Sequence, residues 1–114
     1  MKSLAMTVNL HDDPEVIAKY KEYHAAVWPE VLSALREVGC IDMKIYLIGN
    51  QLFMYCNVED DFNPAEDFPK YLDIDPICQK WEDLMGTYQV PHPLAGEGEK
   101  WTEIEEVFDL QAQL

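Results

Sequence analysis

The chain has 114 residues, 48% of them hydrophobic and 11% aromatic, the size and apolar content of one domain around one core. Its 8 Lys and Arg stand against 22 Asp and Glu, a formal charge of −14 with no basic cluster to offset it. Phosphate backbones and anionic lipid surfaces are repelled by such a chain, which excludes nucleic acid and membrane partners and leaves neutral or cationic small molecules.

The opening MKSLAMTVNLHDD holds no apolar run long enough for a signal peptide, and no stretch of about eighteen consecutive apolar residues occurs, so a soluble, cytoplasmic protein is expected. Within it, residues 3–10 alternate Leu4, Met6, Val8 and Leu10 with smaller or polar residues, the period of a strand with one face on a core. His11-Asp12-Asp13-Pro14-Glu15 then supplies an aspartate cap, a proline for the first helical position and an acid for the first turn. Apolar residues recur every three or four positions from Val16 to Leu35, and Gly39 ends the run, which predicts one helix.

IDMKIYLI (41–48) and QLFMYCNV (51–58) are alternating strands joined by Gly49-Asn50, a pair that closes a tight hairpin. Asp60 to Pro64 is a polar turn that starts a short helix over roughly 64–71, and Asp73 to Pro76 caps another through Cys78, Trp81, Leu84 and Met85. Residues 88–100, with Pro91, Pro93, Gly96 and Gly98, read as a long pinned loop placed where a lid would sit. WTEIEEVFDL (101–110) is predicted as the last strand, so one domain spans 1–110 and QAQL (111–114) is a tail or a partner contact. Cys40, Cys56 and Cys78, odd in number and without a CxxC, read as small buried hydrophobes in a reducing compartment.

The order β-α-β-β-α-β predicts an α+β, ferredoxin-like antiparallel sheet with helices on one face. The other face carries Lys44, Tyr46, Phe53 and Tyr55, too aromatic for free solvation, so a second copy is expected to cover it as a homodimer.

Chemistry-bearing residues are few. Tyr20, His24 and Trp28 are spaced four apart, on one line of the expected helix. His24 reads two ways: a core histidine satisfied by a carbonyl and a hydroxyl, or a general acid/base, since imidazole changes charge near pH 6.5. Pro29 leaves the Ala25 carbonyl without an amide partner and kinks the helix just after His24, which either bends it around the sheet or opens room for a ligand. Trp81 beside Glu82 is either a core aromatic or a flat apolar wall paired with a hydroxyl acceptor, the combination that a sugar needs. His11, His24 and His92 lack metal-ligand spacing, and there is no phosphate loop or serine elbow, so no metal and no cofactor is expected.

The run Y-x-x-x-H-x-x-x-W-P-E (Tyr20, His24, Trp28, Pro29, Glu30), the strand IYL (Ile45 to Leu47), the helix CQKW (Cys78 to Trp81) and the closing E-x-V-F-x-L (Glu105, Val107, Phe108, Leu110) together resemble the L-rhamnose mutarotase family. DDPEVIAKYKEYH, VWPEV, GNQLFM and GEKW look closer to its L-fucose mutarotase branch. The resemblance implies a dimeric α+β barrel, His24 as the proton donor, and Tyr20 and Trp81 in a sugar site. Two positions depart from rhamnose mutarotases: Met43 stands where they have a tyrosine, and Glu82 where a second tryptophan follows the first. Two other readings stay open at this point: a non-catalytic sugar-binding or regulatory dimer, and, by fold analogy alone, an oxygen-using enzyme.

Overall fold

In the computed structural model, which describes residues 1–114, the first strand β1 (Lys2–Leu10) leads into two helices, α1 (Pro14–His24) and α2 (Pro29–Glu37). The hairpin β2 (Cys40–Ile48) and β3 (Gln51–Val58) follows, then α3 (Pro64–Asp67), a 3-10 turn over Phe68–Asp73, α4 (Pro76–Tyr88), and the short strands β4 (Gln89–Val90) and β5 (Thr102–Ile104). Every α-helix starts on a proline, which lacks the amide that the first turn would leave unpaired anyway. Asp13, Asn63 and Asp75 cap three of them by accepting amides of the first turn.

The expected single helix from Pro14 to Gly39 is two helices. The Ala25 amide still reaches the carbonyls of Lys21 and Glu22, and Ala26 reaches Tyr23, but Trp28 is extended at φ −58°, ψ 134°, the conformation imposed on the residue before a proline. Pro29 therefore breaks the helix outright and begins the next one. Pro69 acts similarly downstream: the expected helix 64–71 is regular only to Asp67 and continues as the 3-10 turn.

The sheet is antiparallel in the order β2-β3-β1, with β4 and β5 both on the far edge of β1. β4 faces Asn9 and Leu10, and β5 faces Ala5 to Thr7. The fourth strand of the ferredoxin-like order is thus in two pieces, and the expected loop 88–100 gives up Tyr88 to α4 and two residues to the sheet. The predicted strand 101–110 pairs only at 102–104. In its register Ile104 lies opposite Ala5, so by residue 109 the strand has run past the start of β1 and has nothing to pair with. Val107 and Phe108 are 88% and 63% exposed there, and Gln111–Gln113 forms a final 3-10 turn.

Alternation buries one face of the sheet: Val8, Leu10 and Leu52 meet Tyr20, Val31, Ala34, Cys78, Trp81 and Met85, while Met54, Cys56 and Val58 pack with Met6, Cys40 and Phe62. An extra residue at Ile41 lets both Cys40 and Met43 lie on that face. All three cysteines are buried free thiols, and burial pushes the Cys56 thiol up to about 12, so they pack as hydrophobes. The opposite face exposes Tyr46, Ile48, Phe53 and Tyr55, with the Tyr46 and Phe53 rings 6.4 Å apart. No helix is long and apolar enough to cross a membrane.

Gly39 joins α2 to β2 at φ 112°, and a Cβ there would sit 3.1 Å from the Phe62 ring. Gly39→Ala is expected to lower stability by about 1–3 kcal/mol through backbone strain and that close contact. Gly49→Ala, at φ 58° in the hairpin turn with nothing within 4 Å, carries the strain alone and should cost less. Denaturant midpoints of the two variants check the order.

Candidate functional site

Between the helices and the sheet lies a cavity of about 970 Å³. Tyr20, His24, Tyr71, Trp81, Glu82 and Gln89 line one part of it, and Met43, Lys100 and Trp101 are also on its wall. Four elements supply the first group: α1, the 3-10 turn, α4 and β4. The three residues expected on one helical line are rearranged by the break, since Tyr20 and His24 remain on α1 while Trp28 leaves it.

His24 is the last residue of α1, and its ring stacks on Tyr20 at 4.2 Å and 22°. Its Nδ1 lies 2.9 Å from the Tyr20 carbonyl oxygen. A carbonyl only accepts, so Nδ1 carries the hydrogen and Nε2 presents a lone pair. Burial lowers the His24 pKa from its ordinary value, opposed by that bond to the carbonyl, and the ring rests as neutral imidazole near pH 7.

Tyr20 is buried, and its hydroxyl accepts from Gln89 Nε2 at 3.2 Å, keeping its own hydrogen free to donate. Burial raises its pKa to about 12; the bond from Gln89 works against the shift and the charge of Glu82 adds to it. The phenol therefore keeps its proton at any physiological pH.

Trp81 meets three rings edge to face: His24 at 5.3 Å, Trp28 at 5.1 Å and Tyr23 at 6.2 Å. It belongs to the core cluster and to the cavity wall at once, so the two readings of this residue are not exclusive. Trp28, off its helix, still reaches the site through Trp81.

Glu82 follows Trp81 on α4, half-buried, and its Oε2 accepts a short hydrogen bond from the Tyr71 hydroxyl. Burial drives the Tyr71 pKa far up, and the carboxylate charge and this bond drive it the same way, so the proton stays on Tyr71. Sequence reasoning had singled out Tyr20, His24, Trp81 and Glu82, and all four line this cavity. It missed Tyr71 and Gln89. Gln89 sat in an expected loop 69 positions from its partner, and no local pattern marks such a contact. Tyr71, in the 3-10 turn 11 positions before Glu82, carried no local signal either.

The end of the 91–101 segment is pinned to the same rim. Trp101 packs against both core clusters, and the Lys100 side chain lies across Gly86 of α4, in space that a side chain at 86 would fill. Nowhere do three or more His, Cys, Asp or Glu side chains gather as metal ligands.

A family model described as L-rhamnose mutarotase matches residues 3–110 of this chain. A UPF0734 protein of Dictyostelium discoideum is 40% identical over 114 residues, covering 96% of this chain and 90% of that protein. An L-fucose mutarotase of Xanthomonas campestris is 37% identical over 112 residues, covering 96% and 89%. Among solved structures, an L-rhamnose mutarotase from Formosa agariphila superposes with a TM-score of 0.69 at 26% identity, covering 96% of this chain and 99% of that one.

Proposed function

Since the chain belongs to the L-rhamnose mutarotase family, we propose that it interconverts the α and β anomers of a 6-deoxy-L-hexose, L-fucose ahead of L-rhamnose. The observation that carries the reading is the state of His24: neutral, anchored through Nδ1 to the Tyr20 carbonyl, with Nε2 unpartnered in the chain. In the direction of ring opening, Nε2 takes the proton of the anomeric hydroxyl, the C1–O5 bond breaks, and O5 is protonated along a hydrogen bond from the Tyr20 hydroxyl. The free aldehyde turns about C1–C2, O5 attacks its other face, and both protons return. The donor role implied by family resemblance is thus exercised on reclosure, when His24 holds the proton. Trp81 walls the sugar and Glu82 accepts its hydroxyls.

The reaction proceeds slowly in water, so a positioned acid/base pair contributing on the order of 10²–10⁴-fold is sufficient. Proton transfers of this kind call for no cofactor. The aromatic sheet face around Tyr46, Phe53 and Tyr55 supports a homodimer, and the strongly acidic chain suits a cytoplasmic enzyme with no nucleic-acid or membrane partner. Sedimentation equilibrium of the purified protein tests the assembly, a mass twice that of one chain supporting the dimer and a single-chain mass overturning it.

Saturation-transfer proton NMR between the anomeric signals tests the activity. Added protein should enhance exchange for L-fucose more than for L-rhamnose. Broadened sugar signals with no transfer between anomers would instead identify a binder without catalysis, and no effect on either sugar would overturn the reading.

The pH dependence follows from the sign of the His24 shift. The base must be unprotonated, and its pKa lies below 6.5. The kcat/KM for exchange, measured against the uncatalysed rate at each pH, should be flat through neutrality and fall only as pH drops below that lowered pKa. A profile that falls as pH rises past neutrality would contradict a resting neutral base.

A further inference from the structure

Glu82 is the unusual group on this cavity wall, a half-buried carboxylate among mostly apolar residues that no Lys or Arg pairs with. Even Lys100, laid over Gly86 one turn along α4, makes no ion pair with it. Oε2 is held by the Tyr71 hydroxyl, and Oε1 has no hydrogen-bond partner in the chain. Tyr71 is itself buried and comes from the 3-10 turn packed against α4, so its ring has little freedom and its hydroxyl fixes one side of the carboxylate. Since no buried side-chain oxygen of the chain lacks a partner, Oε1 is not sealed in the core and is open to O–H donors from a ligand. A carboxylate has two oxygens in one plane, about as far apart as two neighbouring hydroxyls of a pyranose require for simultaneous hydrogen bonds.

We propose that Tyr71 and Glu82 form a clamp for two adjacent hydroxyls of an uncharged sugar ring, in which Glu82 accepts from the sugar and Tyr71 is a positioning residue that orients Glu82. This deepens the mutarotase reading and rests on it for the identity of the site. What it adds is a role for Tyr71, and it accounts for the uncharged substrate already proposed: a sugar's hydroxyls supply further donors, whereas an anion would face the carboxylate's charge.

The test is equilibrium binding of L-fucose, by calorimetry or NMR titration, to the full chain and to Glu82→Gln, Tyr71→Phe and the double variant, with exchange kinetics on each. Glu82→Gln keeps the size of the side chain and should weaken binding about 10- to 100-fold, since a hydrogen bond to a charged acceptor is replaced by a neutral one. Tyr71→Phe should weaken it several-fold. The double variant should bind no more weakly than Glu82→Gln alone, because Tyr71 acts through Glu82. In the kinetics the loss should appear in KM, with kcat within a few-fold.

Unchanged affinity in Glu82→Gln overturns the clamp while leaving the mutarotase intact. Additive losses in the double variant overturn the positioning role of Tyr71. If the chain binds L-fucose without exchanging its anomers, the mutarotase reading fails, and the binding series still decides the clamp. If neither L-fucose nor L-rhamnose binds, both fall. Should Tyr71→Phe fail to fold, Glu82→Gln alone still decides whether the carboxylate holds the sugar.

Discussion

His24→Ala is expected to return anomer exchange to the uncatalysed rate, a loss on the order of 10²–10⁴-fold, in a protein that still folds. The fold survives because His24 closes α1 rather than spanning the core: it is half-buried, and the substitution removes only the side chain's bond to the Tyr20 carbonyl while the Ala25 and Ala26 amides go on closing the last turn at Lys21, Glu22 and Tyr23. What is lost is the stack on Tyr20 and the edge contact with Trp81, of about 0.5–1.5 kcal/mol each. The chemistry depends on one atom, the free Nε2, and the stacked Tyr20 does not replace it, being too weak an acid to ionise at neutral pH and serve as the base. Saturation transfer on L-fucose together with thermal melting separates the two effects. Full exchange in His24→Ala would remove this residue from the reaction.

Trp81→Ala should fail on both counts at once. The indole is buried, belongs to the larger core cluster and supports three aromatic rings, so truncation should destabilise the domain by about 3–5 kcal/mol and lower Tm by roughly 10 °C or more. Trp28 and His24 lose the surface that positions them, so sugar affinity should fall even at temperatures where the variant remains folded. Trp81→Phe restores part of the volume and should recover most of the stability but not the affinity. Thermal melts and a fucose titration at low temperature measure the two losses separately, and a Trp81→Ala chain as stable as the parent would show that the indole is not a core element.

Much of the architecture was legible because its causes are local. The alternation of Leu4, Met6, Val8 and Leu10 is a strand wherever one face meets a core, and Gly49-Asn50 closes the hairpin through a positive φ that glycine adopts freely. Asp13-Pro14 and Asp75-Pro76 start helices for reasons contained within four residues. Element ends were less legible. Pro29 was read as a kink, but the extended backbone forced on Trp28 cannot be accommodated in a helix, and the chain restarts. The last strand was read from its alternation over 101–110, yet a strand needs a partner: pairing is made only at 102–104, and in that register β1 has ended before residues 108–110 are reached.

By itself the sequence determined which residues are apolar and at what period, where helices begin, which turn joins the hairpin, and that Tyr20 and His24 share a helical face. Only the tertiary structure decided that Trp81, Glu82 and Tyr71 stand around that face, that Gln89 reaches Tyr20 from 69 positions away, and that His24 presents Nε2 rather than Nδ1. The reason is physical. Periodicity and capping are set by neighbours one or two turns away, whereas a cavity and the protonation states within it are set by burial and by partners that the chain brings together only when the helices close over the sheet.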